Sequence, residues 1–240
     1  MNKESSNYLL IGNSRWHWAL KTQNSWNFIN TSLESEHRQY LNMPLSAWAG
    51  VGSIPRHINL DPNLQVTLKD IPLLNAPHWL GIDRALASWT AFKKAKELST
   101  MPENGLLIAD AGTIMSINRI NGNGKFLGGQ LMPGLHLQIT AMSNGTENLE
   151  YPSTELLPKD YFPLKTSEAM LQGSVQALIA SLKEAQAQAK VPIWLCGGDA
   201  PLIMNSLLKN NQSLDFIYQP NLVLEGMIKI KALINPNSNQ

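Results

Sequence analysis

Three short stretches carry residue types at spacings suited to moving a phosphoryl group. Gly12-Asn13-Ser14 and Gly112-Thr113 each follow an apolar run and read as glycine-containing turns between two strands. A glycine lacks Cβ, so a phosphate oxygen can approach the backbone N–H groups of such a turn. Asp110 ends the apolar run just ahead of the second turn. A carboxylate there is costly unless it caps, pairs or binds a cation; an Asx-turn is the structural alternative. Asp83 lies in Gly81-Ile82-Asp83-Arg84, where a helical pattern begins. Its plain reading is an N-cap. A helix N-terminus also favours the anion, so Asp83 is expected to be ionised and able to accept a hydroxyl proton. Arg84 offers a forked guanidinium to a carboxylate or phosphate, or makes an exposed structural ion pair. Together these are the parts of in-line transfer from ATP to the hydroxyl of a small metabolite.

Those residues need elements to hold them. Tyr8–Ile11 reads as a strand, and Trp16, Trp18 and Leu20 alternate with His17 and Ala19 as a returning one. Ser46 to Ser53 reads as a buried strand ending in a Gly/Ser turn, after a polar stretch at 33–42 with weak helical character. Asp83 opens a helix to about Leu98, with Leu86, Trp89, Ala91 and Phe92 on its apolar face. The strand–turn–strand pattern then recurs: Gly105–Asp110, a turn at Ala111-Gly112-Thr113, and Ile114–Asn118, with Gly124–Gly129 as a third strand. Two such units predict a duplicated fold with a phosphate-gripping hairpin in each half. Helices are expected at Leu131 to about Met142, at Ser167 (as N-cap) to Lys190, from Asp199 (as cap) to Lys209, and at Leu222–Leu233. Val191–Cys196 reads as a short strand and the tail from Asn235 as frayed. Strands alternating with helices predict an α/β class, divided at the Pro- and Gly-containing segment 99–105 into subdomains 1–98 and 99–240.

The bulk composition excludes several classes. Lys and Arg number 19 against 18 Asp and Glu, and no basic run appears, so nucleic acid is not an expected partner. Lys93, Lys94 and Lys96 read as the solvated end of a helix. The single cysteine, Cys196, lies in an apolar segment and reads as a small buried hydrophobe; with no possible internal disulfide, it suits a reducing compartment. No stretch approaches the ~20 apolar residues of a membrane span, and the N-terminal residues lack a signal-peptide pattern. The expected location is the cytoplasm. His17, His57, His78 and His136 show no metal-ligand spacing, although His17 sits just past the first turn. The tryptophans at 16, 18, 48, 79, 89 and 194 follow strand or helix periods and are core candidates.

The ordered set of motifs resembles the type III pantothenate kinases of the acetate/sugar kinase–Hsp70–actin superfamily. The resemblance rests on Gly12-Asn13-Ser14, Gly81-Ile82-Asp83-Arg84, Asp110-Ala111-Gly112-Thr113 and Gly128-Gly129-Gln130-Leu131-Met132-Pro133-Gly134-Leu135. Thr166–Met170 with Gly173, then Leu195–Ala200, complete the order. It implies two ribonuclease H-like (actin-like ATPase) halves, mixed sheets flanked by helices, with a cleft between. It also implies ATP-dependent phosphorylation of pantothenate to 4'-phosphopantothenate, which opens coenzyme A biosynthesis. By the same resemblance, Ile11, Gly12, Asn13, Ser14, Arg15 and Thr113 would contact ATP, and Asp83 would be the catalytic base. Gly81, Ile82, Asp83, Arg84 and Thr166 would line the pantothenate site. Asp110 would hold a monovalent cation (potassium or ammonium), Mg2+ would accompany ATP, and the protein would be a homodimer.

Two positions depart from that pattern. The first motif usually reads Asp-x-Gly-Asn-Thr, and its Asp position is Leu10; a Tyr usual ahead of Gly81 is Leu74. Leu10 leaves open a non-catalytic binding or regulatory relative, and Leu74 a kinase for another small alcohol, because fold alone does not fix substrate.

Overall fold

The computed structural model describes residues 7–32, 40, 42–55, 58–154 and 156–234. The chain divides into two compact units, one of 1–94 with 221–240 and the other of 95–220.

In the first unit, β1 (Asn7–Ile11), β2 (Arg15–Lys21), β3 (Trp26–Ser32) and β4 (Leu45–Gly50) form a sheet ordered β3-β2-β1-β4. β1 runs antiparallel to β2 and parallel to β4. Leu9, Ile11, Trp16, Trp18 and Trp48 form one buried cluster from alternate positions of these strands, as a period of two requires. A buried aromatic of this size removes 150–250 Å² from water, roughly 4–6 kcal/mol of transfer free energy. The indole N–H of Trp18 donates to Thr31 Oγ1 at 3.1 Å and that of Trp48 to the Asp61 carbonyl at 2.8 Å, so neither polar handle is stranded. Helix α1 (Ile82–Glu97) and the last helix, α5 (Leu222–Ile234), complete the unit, α5 packing on β1, β2 and β4.

The second unit repeats the plan. β5 (Leu106–Ala111) runs antiparallel to β6 (Ile114–Ile120) and parallel to β8 (Ile193–Cys196), as β1 does to β2 and β4. β7 (Phe126–Pro133) and β9 (Phe216–Tyr218) extend the sheet to the order β7-β6-β5-β8-β9. Its helices are α2 (Leu135–Asn144), α3 (Thr166–Ala189) and α4 (Ala200–Lys209). α3 buries Leu171, Val175, Leu178, Ile179 and Leu182 at helical spacing against the core. It ends at Lys190, whose left-handed backbone returns an N–H to the Gln186 carbonyl.

Several expectations are corrected. Helix α5 belongs to the first unit and not to the chain's second half. Lys94 is tied to it by an ion pair with Glu225 and is no free solvated lysine. Trp79 is 67% exposed and not core, whereas the other five tryptophans named above are buried. Leu131, Met132 and Pro133 are strand, not helix: Pro133 has no N–H to give a helix, and α2 starts only after Gly134, whose backbone is extended. The N-cap of α3 is Lys165 and not Ser167. Asp199 occupies the N-cap of α4, but its side chain makes no capping bond. The polar stretch at 33–42, His57 and the tail lie wholly or mostly outside the described residues. Among the described residues, no helix is long and apolar enough to cross a membrane.

The α1–α5 packing makes one sharp demand. A Cβ on Gly226 of α5 would lie 2.3 Å from Thr90 Oγ1 and 3.2 Å from the Leu86 carbonyl of α1. Gly226→Ala is therefore expected to destabilise the fold by about 1–3 kcal/mol through overpacking. Urea unfolding of Gly226→Ala, Thr90→Ala and the double variant checks it; the double variant should lose less than the sum of the singles.

Candidate functional site

In the first unit the candidate residues gather at two places. The first is the β1–β2 turn. Ile11 ends β1, and its carbonyl accepts from the N–H groups of Val51 at 2.9 Å and Gly52 at 3.2 Å. Gly12 donates its N–H to the Arg15 carbonyl at 3.0 Å, and a Cβ on Gly12 would lie 2.7 Å from that oxygen. Gly52, just past β4, backs the turn: a Cβ there would meet the Gly12 carbonyl at 2.3 Å. With its own hydrogen bond closed and its inner side filled, the turn leaves Asn13, Ser14 and Arg15 exposed. That is the form of a small anion cradle.

The second place is the start of α1. The carboxylate of Asp83 folds back over Gly81, where a Cβ would lie 2.6 Å from Asp83 Oδ1. The Gly81 carbonyl accepts the Ala85 N–H at 3.0 Å, and the Arg84 N–H donates to Asp83 Oδ1 at 2.8 Å. Asp83 thus lies within the first turn and not at the cap ahead of it. Its pKa also moves against the expectation of a carboxylate stabilised as the anion. Burial pushes it up, and this outweighs the Arg84 N–H bond and the Arg84 charge, which pull it down. The result is a carboxyl of raised basicity, nearer neutral pH than an exposed aspartate. Leu74 is exposed.

In the second unit three motif segments meet at one turn. Asp110 lies on β5, paired with Ser116 of β6 and Cys196 of β8. A Cβ on Gly112 would stand 3.6 Å from Asp110 Oδ1. Gly134 donates its N–H to the Thr113 carbonyl at 3.0 Å, and a Cβ on it would fall 2.0 Å from the Gly112 carbonyl. Gly197, at φ +94°, sits where a Cβ would be 2.5 Å from the Ala111 backbone, and the Asp199 N–H donates to the Ala111 carbonyl at 2.9 Å. Segments 110–113, 134 and 197–199 therefore form one glycine-packed knot. Thr166 is apart from it in character, an exposed residue at the start of α3.

Sequence reading missed Gly52, Gly134 and Gly197 as supports of the two turns. The sequence shows Gly52 only as part of a Gly/Ser turn, and Gly134 and Gly197 only as members of motif segments, because the backbone each one packs against is distant in the chain. As for cations, no cluster of three or more acidic, His or Cys side chains occurs among the described residues. Asp110, a carboxylate on the strand that enters this turn, fits a cation whose other ligands are backbone, hydroxyl or phosphate oxygens. Equally, a divalent ion with few protein ligands fits Mg2+ carried in on ATP with its own waters.

The family model described as type III pantothenate kinase matches residues 63–188, which include Asp83, Asp110, Thr113 and Thr166. The type III pantothenate kinase of Thermosynechococcus vestitus is 31% identical, over 95% of this chain and 89% of its own length. That of Nostoc sp. is 31% identical over 93% of each. Among solved structures, a Campylobacter jejuni protein described as a conserved Baf family transcriptional activator superposes with a TM-score of 0.62 at 24% identity, over 96% of this chain and 98% of that one. A Sinorhizobium meliloti protein described as a 2-dehydro-3-deoxygalactonokinase gives 0.56 at 12%, over 98% of each. These two show the fold.

The raised carboxyl of Asp83 has a thermodynamic signature. Between the ordinary carboxyl pKa and the higher folded-state value, the folded chain binds more protons than the unfolded one, so its stability falls as pH rises through that window. Relative to Asp83→Asn, which lacks this titration, wild type should lose stability across the window and stay level above it. Urea unfolding of both proteins over a pH series measures this.

Proposed function

The chain belongs to the type III pantothenate kinase family, and from that premise we propose the part each of its site residues plays. It is a kinase, transferring a phosphoryl group from ATP to pantothenate in coenzyme A biosynthesis. Asp83 is the general base. The observation that carries this role is its carboxyl folded over Gly81 at the first turn of α1, raised in pKa by burial and held by the Arg84 N–H. It takes the proton from the acceptor hydroxyl as the oxygen attacks the terminal phosphorus. The transition state for such transfer is loose, so the base adds a modest factor and positioning does most of the work.

Gly81, Ile82, Arg84 and Thr166 line the pantothenate side, Arg84 offering a forked cation to the substrate carboxylate. Ile11, Gly12, Asn13, Ser14 and Arg15 hold ATP phosphates from the first turn, and Thr113 holds ATP from the second. Mg2+ bound to ATP neutralises charge on its phosphates. Asp110 holds a monovalent cation, potassium or ammonium, and its own charge is what makes that binding favourable. We further infer a cytoplasmic homodimer.

A coupled ADP-release assay with ATP, magnesium and pantothenate tests these roles. In Asp83→Asn, kcat should fall by about 10²–10⁴-fold while calorimetry still detects ATP binding. The wild-type acid limb should lie above the pH of an ordinary carboxyl titration, in the direction of the Asp83 shift. Exchanging potassium for sodium should slow wild type but leave Asp110→Asn unaffected. A wild-type protein that binds ATP yet releases no ADP with pantothenate would overturn the assignment.

A further inference from the structure

The first sheet contains no acidic side chain in its described residues: 7–32 and 42–50 include neither Asp nor Glu. A divalent cation riding on phosphates at the Gly12 turn would therefore meet no carboxylate from the strands that form it. One other donor stands there. His17 on β2 pairs with Leu10 on β1 and with Asn30 on β3. Directly paired residues project from the same face of a sheet, so Leu10, His17 and Asn30 make a row across three strands.

The ring is oriented from behind. Asn30 Oδ1 lies 2.7 Å from His17 Nδ1, so the carboxamide oxygen accepts the Nδ1 proton and leaves the lone pair on Nε2. Nε2 is on the edge facing the turn, where a Cβ added to Gly12 would be 3.4 Å away. Nε2 has no hydrogen-bond partner among the described residues. Burial lowers the pKa of the imidazole; the Asn30 bond opposes this and Arg15 adds to it, so the balance favours the neutral ring. A neutral imidazole with one nitrogen bound to a carbonyl-type oxygen and the other bare is the usual state of a metal-ligating histidine.

Resting on the kinase reading above, we propose that His17 is a metal-selecting residue, its Nε2 supplying a nitrogen donor to the divalent cation that accompanies ATP. The consequence is a change of preference. Mg2+ takes oxygen ligands and dehydrates reluctantly, whereas Mn2+ and its heavier neighbours accept imidazole readily. The kinase should therefore favour Mn2+ over Mg2+ as the nucleotide's partner. Asn30 is a positioning residue for the same ring.

The test is binding, not turnover. Calorimetry of a non-hydrolysable ATP analogue is run with Mn2+ and with Mg2+ on wild type, His17→Gln and His17→Phe. Wild type is expected to bind the Mn2+ complex more tightly, and both variants to lose at least about 10-fold with Mn2+ but little with Mg2+. Electron spin-echo spectra of Mn2+ with the analogue should show a coupled imidazole nitrogen in wild type and none in His17→Gln. If the variants fail to fold, the wild-type spectrum decides alone. Absence of nitrogen coupling in wild type overturns the proposal, and so does an equal loss with both metals, which would mark His17 as a phosphate contact. If wild type turns over pantothenate and shows either of those results, only the proposal about His17 falls. A wild type that binds neither metal complex sinks the kinase reading and this proposal with it.

Discussion

The two turns exist because backbone is pressed against backbone. At the first, Gly52 abuts the Gly12 carbonyl; at the second, Gly134 abuts Gly112, and Gly197 abuts the Ala111 peptide. In each case a Cβ would fall inside 3 Å of a main-chain atom, a clash that backbone cannot relieve as a flexible side chain could. The contacts fix the turns from within, so that at the first the exposed Asn13, Ser14 and Arg15 are presented without the turn having to be ordered again on binding. Such preorganisation is what electrostatic stabilisation of a moving phosphoryl group requires. The flanking sheets supply the rigidity, through tryptophans buried behind β1 and β2 in one unit and the α3 face in the other.

Asp83 shows which of two opposed effects governs a carboxyl at a helix start. The dipole and the Arg84 N–H favour the anion, by amounts that fall off within a turn and weaken where water screens them. Burial disfavours it, and here burial is the larger cause. Gly81 leaves room for this arrangement: a Cβ there would crowd Asp83 Oδ1 to 2.6 Å, so the carboxylate would have to shift from its place over the backbone.

Much of this was legible in the residues, and the failures have physical causes. The strand–glycine–strand units were readable because apolar alternation and glycine leave local marks, and the topology repeats as the pattern implied. β3 escaped notice because it is an edge strand with two asparagines, half exposed, and so lacks clean alternation. β9 has only three residues. The return of α5 to the first unit had no local mark at all; it is decided by Gly226 against Thr90 and by Glu225 against Lys94, contacts between residues far apart in the chain. Trp79 misled because an indole in an apolar context is usually core. The direction of the Asp83 pKa shift was hidden for a similar reason, since burial is a property of the packed fold.

The duplication also permits a comparison between the halves. Leu10 and Asp110 hold equivalent places, each two residues before the glycine of its turn on a strand that is antiparallel to the next and parallel to a later one. Each has a polar partner on the adjacent strand, His17 for Leu10 and Ser116 for Asp110. The second unit therefore places its charge on the strand that enters the turn, and the first places its polar group on the strand that leaves it. Direct pairing keeps both positions on the same face of the sheet, so a group can pass from one strand to its neighbour without leaving the row. What cannot pass unchanged is the chemistry. A carboxylate brings a formal charge and oxygen ligands, whereas an imidazole held neutral by burial brings neither. The sheet tolerates the exchange because an apolar Leu10 is itself readily buried, at 6% exposure, where a carboxylate would have to be paired or to bind a cation.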